Sequence, residues 1–342
     1  MARAPDTLKK RATVKDVARV AGVSPGTVSN ALSGKRRVDS QTQARITEAI
    51  EQLGYVPNLA ARGMRTGRAG TVAIFSSMPV AVAGGQSRLG FLMEIAASAA
   101  ESAMQNNLAL LLIPPIADPA TALGTIGFDG AILVEPSADD PYREMLAARG
   151  VPTVVIGPTA DMPDPAVTLD YRRMAALLFD HLVEVGARRI PLIVGQSARA
   201  SNMAFREVYL DRCAALGLDP TVIALPEADA ELGARRALEA HVAQGGAPDG
   251  VLVPIDAMAT GAMAALRASG LSVPGDVKVA TRYDGLRARS ETPPLTALNL
   301  HLDQLADLAT RLLVDRIEDR DAASPVRAPD PELIVRGATR AP

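Results

Sequence analysis

Apolar residues near the start of the chain recur at the 3.6-residue spacing of an α-helix, at Val14, Val17, Ala18 and Ala21. Residues 21–23 form a corner that contains a glycine. Ser24 stands where a cap would begin a second helix, with Pro25 at its first position. This pattern predicts a helix-turn-helix.

The second predicted helix has two different faces. Val28, Ala31 and Leu32 are expected to point inward, and the other face offers small and polar groups at Gly26, Thr27, Ser29 and Asn30. A helix that presents such groups near its N-terminus suits the major groove of DNA. A third helix is expected to complete the core through Ile46, Ala49, Ile50 and Leu53.

From Gly70 onward, short apolar strands alternate with helical segments. The strands are predicted at 71–75, 109–113, 131–134, 153–156, 190–194, 222–225, 251–254 and 277–280. The helices are predicted at 89–106, 142–149, 172–186, 204–216, 230–244, 257–269 and 302–320. The expected fold class is therefore α/β, with parallel sheets covered by helices on both faces behind an all-α N-terminal headpiece.

The charge is divided between the two parts of the chain. The net charge is −2, but residues 1–68 contain 13 Lys and Arg against 5 Asp and Glu, whereas the remaining residues contain 23 against 33. A basic head on an acidic body confines binding of a polyanion to the N-terminal end.

Composition narrows the class further. Of the 342 residues, 48% are hydrophobic but only 3% are aromatic, which predicts a core rich in Ala, Leu and Val. The single cysteine, Cys213, fits a reducing compartment. The first eleven residues do not resemble a secretory signal, and apolar stretches such as 108–113 are strand-sized. We expect a soluble, cytoplasmic protein that does not bind a membrane.

Four phrases of the N-terminal segment occur at fixed spacing, at 13–18, 21–24, 27–29 and 54–58. A helix-turn-helix joined at fixed distance to a Tyr-Val-Pro-Asn phrase and a short alanine-rich stretch is far more specific than a lone helix-turn-helix. On these residues, segment 13–64 resembles the headpiece of the LacI/GalR family of transcriptional regulators, without a gap.

The body resembles the same family in the phrases at 150–152, 185–190, 273–277, 293–296 and 333–337. The resemblance implies a periplasmic-binding-protein-like pair of parallel-sheet α/β subdomains. It implies a headpiece at 12–57, a hinge helix and linker at 58–69, and an effector-binding and dimerisation body at 70–342. The first subdomain would hold about 70–165 and 298–325, and the second about 166–297 and 326–340.

The resemblance also implies which residues contact DNA: Thr13, Val14, Lys15, Ser24, Pro25, Gly26, Thr27, Ser29, Asn30, Tyr55, Asn58, Ala61, Arg62 and Met64. Pro25, Gly26 and Asn30 occupy the base-reading positions. Asn30 can pair with adenine, but proline and glycine have no side-chain donor, so they would touch a thymine methyl or allow close approach. Alternatively, Pro25 only starts the helix.

The segment that begins at Asn58 would form a hinge helix too short to be stable alone. The resemblance implies that two copies pair on DNA and enter the minor groove. Met64 stands where the family has a leucine wedge, and Gly63 lowers helix propensity beside it. The basic run 35–37 either contacts the DNA backbone or is a solvated surface.

Effector binding is expected at the carboxyl ends of the strands, between the subdomains. The resemblance implies these residues: Asp170, Phe205, Arg206, Asp256, Arg282, Tyr283 and Asp284. Arg206 and Arg282 would favour a carboxylate or phosphate, unless they are surface arginines paired to acids.

An enzyme is the main alternative class. Residues 22–26 match the Gly-x-Ser-x-Gly elbow of hydrolases, but that elbow must follow a strand, and here it lies between two predicted helices. His181, His241 and His301 lack the spacing of metal ligands. We therefore expect neither catalysis nor a cofactor.

The sequence predicts a homodimeric transcriptional regulator, a repressor, that binds a pseudo-palindromic operator in double-stranded DNA. A small-molecule effector (a sugar, sugar acid or phosphorylated metabolite) would control it from the cleft between the subdomains. In the alternative, the body only dimerises or docks a protein partner.

Overall fold

The computed structural model describes residues 12–33, 37–56, 67–79, 82, 90–116, 118–157, 165–321 and 324–340. The chain divides into two units, Met1–Ala69 and Gly70–Pro342. The first is the predicted headpiece with its linker, and the second is the α/β body.

Three helices form the described part of the headpiece: α1 at Val14–Ala21, α2 at Pro25–Ser33 and α3 at Ser40–Leu53. Their apolar faces share one core, which contains Val17, Ala18, Ala21, Val28, Ile46, Ala49 and Tyr55. The predicted inward position of Leu32 is wrong, because 41% of this residue is exposed. The small core is filled by the preceding turn of α2, through Val28.

The ends of the headpiece helices follow from local hydrogen bonds. Thr13 and Asp16 form a capping box at the start of α1, and Gly22 ends this helix with a φ of 64°. That left-handed conformation costs little for a glycine. At the start of α3, Asp39 accepts a hydrogen bond of 2.9 Å from the backbone N–H of Thr42.

The strands of the body are β1 at Thr71–Phe75, β2 at Ala109–Ile113, β3 at Gly130–Val134, β4 at Thr153–Ile156, β5 at Ala166–Thr168, β6 at Leu192–Gly195, β7 at Val222–Leu225, β8 at Gly250–Val253, β9 at Lys278–Tyr283, β10 at Thr296–Asn299, β11 at Val326–Arg327 and β12 at Glu332–Ile334. They form two sheets, in the orders β11-β5-β4-β3-β1-β2 and β12-β10-β9-β8-β6-β7. All pairings are parallel except that of β12 with β10.

The helices of the body are α4 at Phe91–Gln105, α5 at Pro119–Ala122, α6 at Pro141–Ala148, α7 at Tyr171–Glu184, α8 at Ala200–Leu216, α9 at Ala230–Ala243, α10 at Asp256–Ala268, α11 at Leu286–Ser290 and α12 at Leu302–Ile317. They cover both faces of the first sheet. Val72 and Ile74 of β1 share a core with α4 and α12, whereas Ala73 and Phe75 face the core that includes α6. This alternation along one strand confirms the predicted fold class.

The chain crosses between the sheets slightly later than expected. Strand β5 belongs to the first sheet, so the crossing falls after residue 168 rather than at 165. Strand β10 pairs in the second sheet, so the chain returns to the first subdomain after residue 299. Strand β11 joins the first sheet, so the last crossing falls beyond residue 327. These strands are too short to show an apolar pattern, so only their pairing reveals them. The first subdomain is defined here by the first sheet and the second by the other.

None of the helices in the described parts of the chain is both long and apolar enough to cross a membrane.

The contact between α9 and α10 supports the start of α10, where Asp256 stands. A Cβ at Gly261 would lie 2.1 Å from the carbonyl oxygen of Glu231. Gly261→Ala therefore has to separate two packed helices, and we expect it to lower the free energy of unfolding by about 1–3 kcal/mol. Urea denaturation of the full chain measures this loss. Ala268→Ser, at an exposed position of the same helix, should change it by less than about 0.5 kcal/mol; equal midpoints for both variants would contradict the close approach.

Candidate functional site

The N-terminal end of α2 is open to solvent. Five of the predicted DNA contacts are exposed, at Thr13, Lys15, Ser24, Pro25 and Gly26, and four are half-buried, at Val14, Thr27, Ser29 and Asn30. The headpiece therefore offers this helix end, with its small side chains, as a surface that can approach DNA closely.

Among the predicted DNA contacts, Thr13 and Ser24 already have local hydrogen-bond partners. The hydroxyl of Thr13 donates to Asp16 Oδ2 over 2.7 Å. The hydroxyl oxygen of Ser24 accepts from the backbone N–H of Thr27 over 3.1 Å and lies 2.9 Å from its hydroxyl. Both residues cap helices, so a phosphate contact would be made in addition to that task. Tyr55 is 7% exposed and belongs to the headpiece core.

The predicted hinge contacts Asn58, Ala61, Arg62 and Met64 lie outside the described residues. So do Lys35 and Arg36 of the basic run, whereas Arg37 is described and exposed. The hinge helix and the wedge stay predictions.

A cavity lies where the carboxyl ends of both sheets meet, and it holds about 590 Å³ of empty space including its mouth. The first subdomain contributes Ser76, Met78, Val82, Phe91, Leu92, Val134 and Glu135. The second contributes Ser201, Asn202, Pro254, Ile255, Asp256, Arg282 and Tyr283. Residues at the ends of β1, β3, β8 and β9 are brought together because parallel strands end on one side of each sheet.

Three of the predicted effector contacts line this cavity: Asp256, Arg282 and Tyr283. The ring of Tyr283 meets that of Phe91 edge to face, with the ring centroids 5.6 Å apart. The cavity lining thus combines aromatic rings with charged side chains.

The other four predicted contacts are not among the described residues that line the cavity. Asp170 is exposed and caps α7 by accepting from the backbone N–H of Arg173 over 2.9 Å. Phe205 is fully buried in the core, because it lies on the inner face of α8. Arg206 is half-buried on the same helix, one residue away from that face.

Asp284 serves a different network. Its carboxylate binds both Nη atoms of Arg336, with Nη2 2.8 Å from Oδ2, and lies 3.3 Å from Nη2 of Arg289. Since 8% of its side chain is exposed, this aspartate ties β9 to the segment after β12 within the second subdomain. Asp284 directly follows Tyr283, and successive residues at a strand end point to opposite sides, so Asp284 does not line the cavity.

Glu135, which was not predicted, lies in the cleft and accepts hydrogen bonds from several side chains. Both its carboxylate oxygens accept from Arg282, over 2.7 and 3.2 Å, and Oε1 also accepts from the hydroxyl of Tyr171 over 2.6 Å. Glu135 is 5% exposed and Arg282 6%. Because this pair is bidentate and buried, its interaction is stronger than that of the surface ion pairs of this chain.

The backbone of Glu135 is also unusual. Its φ of 46° lies in the left-handed region, which costs a residue with a side chain roughly 1–2 kcal/mol. The backbone N–H of Glu135 donates to the carbonyl of Ile156 over 2.8 Å, and its own carbonyl accepts from Nη1 of Arg199. These contacts hold the conformation that points its side chain at Arg282.

Burial, followed by the charge of Glu135, holds the pKa of Tyr171 well above its ordinary value. The phenol is therefore a hydrogen-bond donor at neutral pH. Gly157 leaves room for it, because a Cβ there would lie 2.9 Å from the Tyr171 hydroxyl.

Asp256 carries an unsatisfied acceptor into the cavity wall. Its Oδ1 accepts from the backbone N–H of Ala257 over 2.8 Å, but Oδ2 is buried without a hydrogen-bond partner. The nearest cation, Nε of Arg287, is 3.8 Å from Oδ2. Burial raises the pKa of Asp256 above its ordinary value, although Arg287 opposes the shift. A buried carboxylate oxygen of this kind favours a ligand that donates a hydrogen bond.

Position in the sequence could have indicated Glu135. It follows the fully apolar strand β3 directly, as Ser76 follows β1, and polar residues at such positions meet at one edge of the sheet. Its partner Tyr171 is the first residue of α7 and its partner Arg199 directly precedes α8, and no pattern of the chain marks either residue. Among the described residues, no group of His, Cys, Asp or Glu is arranged to hold a metal ion.

A helix-turn-helix unit followed by a two-sheet α/β body is the architecture of a class of DNA-binding regulators, and comparisons with known proteins agree. Residues 13–58 match the model of bacterial regulatory proteins of the lacI family, and residues 179–339 match that of a periplasmic binding protein-like domain. The HTH-type transcriptional regulator CelR of Thermobifida fusca is 30% identical over 93% of this chain and 95% of its own length.

Solved structures have the same architecture. A CelR–cellobiose complex has a TM-score of 0.69 at 27% identity, over 96% of this chain and 100% of that one. The lac repressor dimer bound to operator and the anti-inducer ONPF has a TM-score of 0.78 at 22% identity, over 97% and 100%. The chain belongs to the LacI family of bacterial transcriptional regulators, which are DNA-binding proteins and not enzymes.

The Asp284 network should contribute to stability without forming part of the cavity. Asp284→Asn leaves Arg336 and Arg289 without a carboxylate, and we expect it to lower the free energy of unfolding by roughly 1.5–3 kcal/mol. Thermal or urea unfolding of the full chain measures this loss. Glu239→Gln breaks the exposed pair with Arg235 and should cost less than about 0.5 kcal/mol; similar losses from both variants would mean that burial adds nothing to the Asp284 pairs.

Proposed function

We propose that this chain is a homodimeric repressor that binds a pseudo-palindromic operator through its headpiece and releases or retains it according to a small molecule in the cleft. The cavity at the carboxyl ends of both sheets, with the unsatisfied Asp256 oxygen in its wall, is the observation that carries the effector part. Membership of the LacI family supports the operator part.

In this proposal, α2 enters the major groove with its N-terminal end first. Asn30 reads an adenine, and Pro25 and Gly26 allow close approach. Lys15, which is exposed beside the capped start of α1, contacts a phosphate and adds affinity without sequence information.

The surroundings of the cavity favour an uncharged effector that carries hydroxyl groups. Both Nη atoms of Arg282 already donate to Glu135, so they are not available as a fork for a carboxylate or phosphate. A hydroxyl can donate to Asp256 Oδ2, and the rings of Phe91 and Tyr283 offer apolar faces. The regulator CelR, whose structure contains cellobiose, supports a sugar, among the sugars, sugar acids and phosphorylated metabolites expected from the sequence.

Asn30 and Lys15 provide a matched pair of DNA-binding variants. On an operator identified by genomic footprinting, Asn30→Ala should lose about 1–3 kcal/mol, or roughly 5- to 150-fold in Kd, and relax the preference at one base-pair position. Lys15→Gln should weaken all sequences alike and lower the salt dependence by about one charge. Binding titrations with single-base operator variants distinguish them.

Sedimentation of the same samples should give the mass of two chains. A uniform loss for Asn30→Ala across all operator variants would contradict base reading, and a single-chain mass at the concentrations that bind operator would contradict the dimer.

The effector class can be tested by thermal melting of the full chain with neutral mono- and disaccharides, sugar acids and sugar phosphates. A neutral sugar at a hundred times its Kd should stabilise by about 2.7 kcal/mol. Asp256→Asn should abolish that shift, whereas Asp170→Asn, an exposed position outside the cavity, should retain it. Affinity should fall as the pH falls, because protonation of Asp256 removes the acceptor and its raised pKa brings this change closer to neutrality.

Stabilisation by an anion that survives Asp256→Asn would overturn the assigned ligand class. Complete absence of a shift across the panel would favour the alternative, a body that only dimerises or docks a protein partner.

A further inference from the structure

Three side chains of the second subdomain converge on one residue of the first. Arg282 at the end of β9 and Tyr171 at the start of α7 bind the carboxylate of Glu135, and Arg199 before α8 donates to its carbonyl oxygen. The acceptor atoms lie on one side of the cleft and the donors on the other.

A second branch extends this contact deeper into the first subdomain. Nη2 of Arg199 donates to the Ser77 hydroxyl over 3.0 Å, and that hydroxyl donates to Asp140, which is 1% exposed. Asp140 is held in turn by the backbone N–H of Tyr142, over 3.0 Å. This chain of hydrogen bonds therefore links packed elements of the two subdomains.

Aromatic rings shield the central pair from water. The guanidinium carbon of Arg282 lies 5.1 Å from the ring centroid of Phe91 and 5.6 Å from that of Tyr171. One ring belongs to each subdomain, so Arg282 is enclosed only while the two stay together.

We propose that Glu135 is a latch that holds the two subdomains together across the cleft and sets the resting position of the body before any effector binds. The role of this latch in regulation rests on the proposed function, but its effect on the position of the subdomains does not. With the latch intact, a ligand enters a cleft that is already closed and stabilises an existing state. Without it, the body would depend on the ligand for closure.

Neutralising one partner distinguishes a latch from an ordinary buried contact. In Glu135→Gln the closed body retains Arg282 as a buried charge without its counter-charge, which is costly, whereas the open body returns Arg282 to water. The variant should therefore open the cleft. Removal of both charges, in Glu135→Gln with Arg282→Met, takes away the reason for opening.

The test is amide hydrogen–deuterium exchange of the full chain without added ligand, followed by mass spectrometry. We expect Glu135→Gln to exchange severalfold faster than the parent in the cleft segments 134–137, 199–202 and 254–257. Tyr171→Phe, which keeps the ring and removes one hydrogen bond, should give a smaller change in the same segments. The double variant should exchange more slowly there than Glu135→Gln or Arg282→Met alone.

Asp284→Asn is the matched control, because it breaks a buried pair that stays within the second subdomain. It should speed exchange around 296–299 and 334–337 and leave 134–137 unchanged. Unchanged cleft segments in both Glu135→Gln and Tyr171→Phe, or equal acceleration of those segments by Asp284→Asn, would overturn the latch. A failed effector panel or an absent operator would contradict the proposed function instead, and neither changes the exchange result.

Discussion

Parallel strands end at one edge of their sheet, and the body of this regulator depends on that constraint. Two such edges face each other, so residues far apart in sequence, Glu135 after β3 and Arg282 at the end of β9, become neighbours over 2.7 Å. The same arrangement forms the cavity. A site for a small molecule and a contact between the subdomains therefore share one set of strand ends.

Both members of this ion pair, Glu135 and Arg282, are buried. Moving two charges out of water is costly, and their attraction offsets that cost only with good geometry and additional hydrogen bonds. Tyr171 and Arg199 supply those bonds, while the left-handed backbone of Glu135 aims the carboxylate. An arrangement with so many requirements is stable only when the subdomains adopt one relative position. That makes it suitable for defining a state that a ligand can reinforce or oppose.

Much of the fold was predictable, because long apolar patterns report local structure directly. Strands such as Thr71–Phe75 and helices such as Ala230–Ala243 begin where the periodicity predicts. The short strands β5, β10, β11 and β12 were missed, since two to four residues carry little pattern. Phe205 and Asp284 were expected to contact an effector, but Phe205 packs in the core and Asp284 pairs with Arg336.

The amino-acid sequence alone indicates the family, the helix-turn-helix with its caps, the α/β class of the body and the strand ends at which ligand binding is expected. These features depend on neighbouring residues and on fixed spacing, so they can be recognised in the sequence. Which polar side chains meet in the cleft depends on the folded body. The partners of Glu135 are separated from it by as many as 147 positions, and no local pattern encodes such a contact. Its existence depends on how two sheets face each other, which is a property of the folded body.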